Sequence, residues 1–305
     1  MPATTGAAAD PTERAASAAD PTEREPSATD RAVARALWAA LRTFGEVPGA
    51  RVVDMPDATL TLAGASFALF NNVIATSISD DDAEDRIREI LRACAPDHLP
   101  VTWWVGPTTR PTSLAARLQR LGLARQAPEF GMVRDMATGW PHAPLPPHAA
   151  LESVERLDQL EEWLGVMNAA YASGDPRRTA LVLAMYQVDL ARPIADREVH
   201  HFLVRLHGHP AACSSLFVAG GEAFVTNIGT APDARGKGLG TAATVATLEL
   251  ARSMGRASAT LTASLHGRGV YRRLGFHEAG VLDRYVATRD TVAQLAAIPS
   301  GGRPA

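Results

Sequence analysis

The stretch "ARGKGLGTAA", residues 234–243, puts three glycines and two cations between Arg235 and Gly240 and then turns to alanine and threonine. Glycines at alternate positions remove Cβ atoms, so the backbone can approach a ligand closely and take angles that other residues avoid. The alanine-rich run after them reads as a helix, and a helix N-terminus with free N–H groups is a ready anion site. Arg235 and Lys237 add positive charge there, so a phosphate is the expected guest. A P-loop needs a Gly four residues before Gly-Lys and a Ser or Thr after it, but Ala231 and Gly238 occupy those places. A dinucleotide fingerprint needs G-x-G-x-x-G in a βαβ unit. Here Gly236, Gly238 and Gly240 are spaced evenly by two, after what reads as an antiparallel meander.

The flanks supply that meander. Strands are expected at 200–207, 211–218 and 222–230, with hairpin turns at Gly208-His209-Pro210 and Gly220-Gly221. The third strand runs into the glycine loop, and Gly229 inside it marks a bulge or a close backbone approach. Upstream, a short strand near 151–154 precedes helices near 156–172 and 176–190. Downstream, the loop helix stops at Gly255, "ASATLTA" (257–263) alternates as a half-buried strand, and "GRGVYRRLGF" gives a short helix and glycine turn. A last strand lies near 281–287.

Residues 30–136 alternate short strands and helices of their own. Asp30 is the expected N-cap of a helix with Val33, Leu37, Leu41 and Phe44 on one face. Strands are expected at 59–62 and 67–75, at "VTWWV" (101–105) and at "GMVRDM" (131–136), with helices at "DDDAEDRIREILRAC" and "PTSLAARLQRLG". Only one ring of the Trp103-Trp104 pair can face each way. Residues 137–149, with four prolines between 141 and 147, read as a linker. Residues 1–29, where "AADPTER" occurs at 8–14 and again at 18–24, offer almost nothing to bury and read as a disordered tail, as do residues 297–305.

Bulk properties exclude more than they assign. A net charge of −3 over 305 residues gives no global argument for nucleic acid or an anionic membrane. No apolar run approaches the roughly 20 residues that span a bilayer. Cys94 and Cys213 are far apart and form no metal-type pair, which fits free thiols in a cytoplasmic protein without a bound metal.

Taken in order, "TNIGTAPDARGKGLGTAATVATLELA" and "ATLTASLHGRGVYRRLGF" resemble the acetyl-CoA-binding core of the GNAT superfamily of N-acetyltransferases. Arg235, Gly238 and Gly240 match its R/Q-x-x-G-x-G/A element, and Val270 to Phe276 match its later L-Y-x-x-L-G-F-like element. Either motif alone is weak; both, with a strand and a helix between them, are specific. The resemblance covers about 150–290 and implies an α+β chain of two GNAT-like domains, each a mostly antiparallel twisted sheet flanked by helices. The degenerate copy would be 30–136 and the acetyl-CoA-binding copy 150–296. "TWWVGPTTRPTSLAARLQRLGLARQ" (102–126) parallels "TLTASLHGRGVYRRLGFHEAG" (260–280), but the first half lacks an R-x-x-G-x-G and has Leu118 where the second has Tyr271.

The resemblance also implies roles. Backbone N–H groups from Arg235 through Gly236, Lys237, Gly238, Leu239 and Gly240 to Thr241 would ring the coenzyme A pyrophosphate. Those near Ile228, Gly229 and Thr230 would polarise the thioester carbonyl. Ser264 would help hold the pantetheine arm, and Tyr271 would protonate the departing thiolate. Relatives often carry a glutamate near Thr226 and Asn227, where this chain has no acid. Glu222, four residues earlier, is the candidate base, and the alternatives are a solvated turn acid, an amine that arrives neutral, or a relay of water. The acceptor is expected to be a small-molecule amine. Trp163, Tyr171, Met185 and Tyr186 are open between pocket and core, and Arg177 and Arg178 between an acidic substrate and a solvated face. A silent acyl-CoA-binding module and an acyl-CoA thioesterase or decarboxylase stay open as alternatives.

Overall fold

The computed structural model describes residues 25–299 apart from Glu46 and His142, so the expected tail before Glu25 and the last residues lie outside the described part. In chain order the first half contains α1 (Ala28–Arg42), β1 (Arg51–Asp54), β2 (Thr59–Leu62) and β3 (Asn71–Ile74). There follow α2 (Ala83–Arg92), β4 (Val101–Val105), α3 (Leu114–Arg120), β5 (Ala124–Arg125) and β6 (Glu129–Asp135). The second half contains β7 (Ala149–Ser153), α4 (Leu157–Tyr171), α5 (Pro176–Leu190), β8 (Val199–Leu206), β9 (His209–Phe217) and β10 (Phe224–Thr230). It closes with α6 (Leu239–Ser253), β11 (Ser258–Ala263), α7 (Arg268–Arg273), β12 (His277–Ala287) and α8 (Arg289–Ala297). This is the expected mixed α+β architecture, a sheet flanked by helices.

The local signals mostly held. The expected helices at 156–172 and 176–190 appear as α4 and α5, and the meander appears as β8, β9 and β10 in antiparallel register. Three details differ. The N-cap of α1 is Ser27, not Asp30: Ser27 Oγ accepts from Asp30 N at 3.1 Å, and Asp30 accepts from Ser27 N at 2.7 Å, a reciprocal capping box. The run 67–75 becomes a strand only from Asn71, because Ala68–Phe70 winds into a 3-10 turn whose carbonyl at Leu69 accepts from Asn72 Nδ2. Strand β1 and helix α8 are additional to the expected elements.

The larger departure is in the sheet. A single continuous sheet runs in the order β1-β2-β3-β4-β12-β6-β11-β10-β9-β8-β7. Strand β6, expected to close the first half, lies between β11 and β12 and is antiparallel to both. Strand β12 in turn leaves β6 at Leu282 and pairs from Asp283 to Ala287 with β4. The boundary expected near residue 136 therefore does not coincide with a break in the sheet, since each half lends a strand to the other. Periodicity names strands but not their partners, which is why the exchange was invisible in the sequence.

The core follows the same logic. Trp103 and Trp104 point to opposite faces and both are buried. Trp104 joins a cluster that unites Val33, Leu37 and Leu41 of α1 with Trp163 and Leu164 of α4 and Met185 and Tyr186 of α5. Trp103 joins Tyr285, Val292 and the first-half helices. Among the described residues no helix is long and apolar enough to cross a membrane. A chain starting at Ala149 would lack β4 and β6, leaving β11 and β12 as unpaired apolar edges open to aggregation. That fragment is expected to be insoluble, or to lose cooperative unfolding by calorimetry; a soluble, cooperatively folding 149–299 fragment would show that the shared strands are dispensable.

Candidate acetyl-transfer site

Strands β10 and β11 are parallel neighbours, but they pair only at Phe224–Thr260 and Val225–Leu261. Beyond those residues β10 follows β9 and β11 follows β6, so a wedge opens between them. A bulge sharpens the divergence. Thr226 pairs with Ser215 and Gly229 with Cys213, three steps on β10 against two on β9, so one extra residue is accommodated. Asn227 takes it up with a φ of 52°, in the left-handed region that Asn tolerates better than most residues.

Buried side chains hold this bulge. Asn227 Nδ2 donates to Tyr186 Oη at 3.1 Å and to Ser215 Oγ at 3.3 Å, and Ser215 Oγ lies 2.7 Å from His201 Nδ1. Because Asn227 supplies a proton to Ser215 Oγ, the Ser215 hydroxyl is free to donate to His201 Nδ1, which leaves the histidine proton on Nε2. Burial pushes the His201 imidazole down to about 3, so it is neutral at pH 7. Beneath the bulge Cys213 Sγ donates to Asn227 O at 3.4 Å, and burial pushes its thiol up to about 12. It is therefore a protonated packing group. A Cβ on Gly229 would stand 2.9 Å from the Ala170 methyl and 3.2 Å from Cys213 Sγ, so a side chain there would force α4 off the strand.

The loop after β10 behaves as a cradle. Gly236 and Gly238 have φ of 77° and 78°, and Gly238 is the residue from which α6 starts. The first-turn N–H groups of α6, at Leu239, Gly240 and Thr241, have no partner within the helix and carry the positive end of its dipole. Gly240 faces Thr230, whose Oγ1 would lie 2.8 Å from an added Cβ. These features fit a pyrophosphate. The cations are placed differently from expectation: Arg235 Nη2 donates to Ala170 O at 3.0 Å and its Nε to Thr230 O at 3.4 Å, tying the end of α4 to the wedge. Lys237 Nζ donates to Asp233 O.

Other expected residues divide. Tyr271 is half-buried on α7 with its ring edge-on to Phe276 at 6.1 Å, and burial pushes its phenol up to about 12. Ser264 is exposed, and its hydroxyl accepts from Gly267 N at 3.2 Å, so in this state it serves the turn before α7. Glu222 is not at the wedge. It lies before β10, at the opposite end of that strand from Gly229, and its carboxylate pairs with Arg35 of α1 at 2.7 Å. Proximity in sequence misled here, because an extended strand carries each residue about 3.3 Å from the last.

Tyr171, which the sequence left open between pocket and core, meets the bulge, and Glu129 is a residue that sequence reasoning missed. Tyr171, at the end of α4, donates from its hydroxyl to Ile228 O at 2.9 Å. Half of its ring is exposed, yet its hydroxyl end is enclosed, and desolvation raises its pKa with smaller contributions from Tyr271 and Glu129. Glu129 lies one residue before Phe130, the partner of Ala263 at the end of β11. It enters on the first residue of β6, opposite Leu282, and pairs with Arg284 at 3.2 Å. An acid at the start of a strand gives no motif, and only the strand exchange brings it here.

The sequence profile of the acetyltransferase (GNAT) family matches residues 159–276. A curated mycothiol acetyltransferase of Clavibacter michiganensis subsp. michiganensis is 28% identical over 193 residues, and the chain spans 61% of that relative's length and of its own. Among solved structures, a GCN5-related N-acetyltransferase from Kribbella flavida superposes with a TM-score of 0.64 at 20% identity, covering 83% of this chain and 95% of that one. A tandem GNAT protein from the clavulanic acid biosynthesis pathway gives 0.54 at 18% identity, covering 79% and 80%. These likenesses show the fold.

Two outcomes follow from the local geometry. Gly238→Val places a β-branched residue at positive φ, with strain of about 1–2 kcal/mol, and is expected to unfold cooperatively but lose coenzyme A binding by calorimetry. Unchanged affinity would exclude the loop as the cradle. For His201 the folded pKa is depressed, so between pH 6.5 and about 3 the unfolded chain binds the extra proton. Stability should fall as pH drops through that window, by up to about 1.4 kcal/mol per pH unit. His201→Gln should flatten this part of the stability curve, and a curve parallel to the wild type would contradict a neutral buried imidazole.

Proposed function

From the premise that residues 159–276 belong to the acetyltransferase (GNAT) family, we propose that this chain transfers an acetyl group from acetyl-CoA directly to a small-molecule amine. The observation that carries the reading is the wedge after Val225 and Leu261, with the α6 N-terminus at the end of β10 and with Glu129 and Tyr271 beside the residues that follow β11. When bound, acetyl-CoA supplies an acetyl group already activated as a thioester. The remaining work belongs to the chain.

The α6 N–H groups and the glycine loop bind the pyrophosphate. Backbone N–H groups at the bulge, near Ile228 to Thr230, would polarise the carbonyl on which negative charge develops. Glu129 takes the proton that the acceptor ammonium must lose, directly or through one water, which fills the role that Thr226, Asn227 and Glu222 cannot. Tyr271 holds a proton at its Oη at any neutral pH and gives it to the departing thiolate as the C–S bond breaks and the C–N bond forms. The first half is a structural partner that contributes Glu129 on β6 and a wall of the acceptor cleft, and the chain holds one coenzyme A. A relative named as a mycothiol acetyltransferase supports a small-molecule acceptor.

Thiol release from acetyl-CoA is expected only when a primary amine is added; release without one would indicate hydrolysis, and none with any amine would indicate a binding module. Tyr271→Phe is expected to lower turnover by about 10²-fold with coenzyme A affinity retained, and Glu129→Gln to lower it similarly at pH 7 with partial recovery at high pH, where the free amine predominates. With its phenol near 12, Tyr271 should cause no fall in rate below about pH 10. Wild-type turnover by either variant across the pH range would remove that residue from the reaction.

A further inference from the structure

A cleft of about 600 Å³ opens between the two halves of the chain. Ser66 and Phe67 line it from the first half, Arg178 from the first turn of α5, and Arg289 and Asp290 from the first turn of α8. Cations at helix N-termini oppose the helix dipole and need compensation. Arg177 has it, through an ion pair with Asp175 at 3.1 Å and a position over the Phe67 ring. Arg289 donates to Ser66 Oγ. Arg178 does not: among the described residues its guanidinium has no ion pair or hydrogen bond, and its Nε is buried without a partner.

An arginine is seldom left half-buried and unpaired at the unfavourable end of a helix, because its desolvation goes uncompensated. Its position relates it to the reaction centre. Thr179, the next residue on α5, accepts from Asn168 Nδ2 of α4 at 2.8 Å, and Tyr171, three residues further along α4, donates to Ile228 O in the bulge. The first turn of α5, which carries Arg178, is therefore fastened to the end of α4 that meets the wedge. With Arg289 positive and Asp290 negative, the three charged lining groups sum to a single positive charge, which matches a monoanion better than a dianion. A planar guanidinium pairs with a carboxylate through two parallel hydrogen bonds.

We propose that the acceptor amine carries a carboxylate, bound by Arg178 with Arg289 across the cleft, so that its amino group is presented to Glu129 and the wedge. This rests on the transfer activity proposed above, but it concerns recognition and is testable without turnover. The proteinogenic amino acids and their C-terminal carboxamides are titrated by calorimetry into the full chain saturated with coenzyme A, alongside aminoalkyl phosphonates. At least one amino acid should bind about tenfold or more tightly than its carboxamide. Arg178→Gln should bring that ratio below about twofold, and Arg178→Lys should retain part of it as a point charge. Carboxamides binding as well as amino acids, phosphonates binding more tightly than either, no binding in any series, or an unchanged ratio in Arg178→Gln would each overturn the proposal. A carboxylate preference with no acetyl transfer would uphold it and sink the activity reading instead.

Discussion

Strands β10 and β11 could pair along their whole length, and the site exists because they stop after two residues on each. Parallel strands held apart expose backbone N–H and C=O groups that would otherwise be satisfied, and such groups are costly unless something takes their place. The chain meets that constraint from both sides. On the β10 side an extra residue at Asn227, gripped by Tyr186 and Ser215, turns the strand toward β9. On the β11 side, β6 captures the strand through six consecutive register pairs from Ser258 to Ala263. The wedge is thus held open by hydrogen bonding elsewhere, and the Tyr171 hydroxyl meets one of the carbonyls freed on its edge.

This account gives the first half a purpose. Its own sequence contains no R-x-x-G-x-G, and it supplies β6, the strand that pairs with β11 on the side away from β10. The same strand delivers Glu129, and the reciprocal loan of β12 to β4 fixes α8 and the far wall of the cleft. The first half thus shapes the wedge that lies in the second. The cost is independence: a sheet of this length has no internal edge at which the chain can be cut cleanly.

Electrostatics at the centre separates groups that react from groups that hold. Burial keeps Tyr271 and Cys213 protonated and His201 neutral, by one physical cause: a charge there would lose its water. Tyr271 alone among these stands on α7, the helix after β11, where the proposed transfer would use a group that keeps its proton. His201 and Cys213 lie under the bulge and contribute shape. Glu129 forms an ion pair with Arg284 at 3.2 Å.

What the sequence determined by itself was local. Glycine spacing from Gly236 to Gly240, the strand before it and the alanine-rich helix after it are set by backbone preferences within a few residues, and they were legible as such. So were the Leu-Gly-Phe turn that positions Tyr271 and the antiparallel meander of β8 to β10. The tertiary structure alone decided which strands are neighbours, and therefore which side chains converge. Glu222 is close in sequence to the wedge and lies at the wrong end of β10, whereas Glu129 is about a hundred residues away and reaches it through β6. The sequence left Arg178 open between an acidic substrate and a solvated face; in the fold its Nε is buried with no partner among the described residues. Hydrogen bonding within a helix or turn is encoded by adjacent residues, but pairing between strands distant in sequence depends on which edges meet in the folded chain, and a single strand's pattern is the same whichever partner it finds.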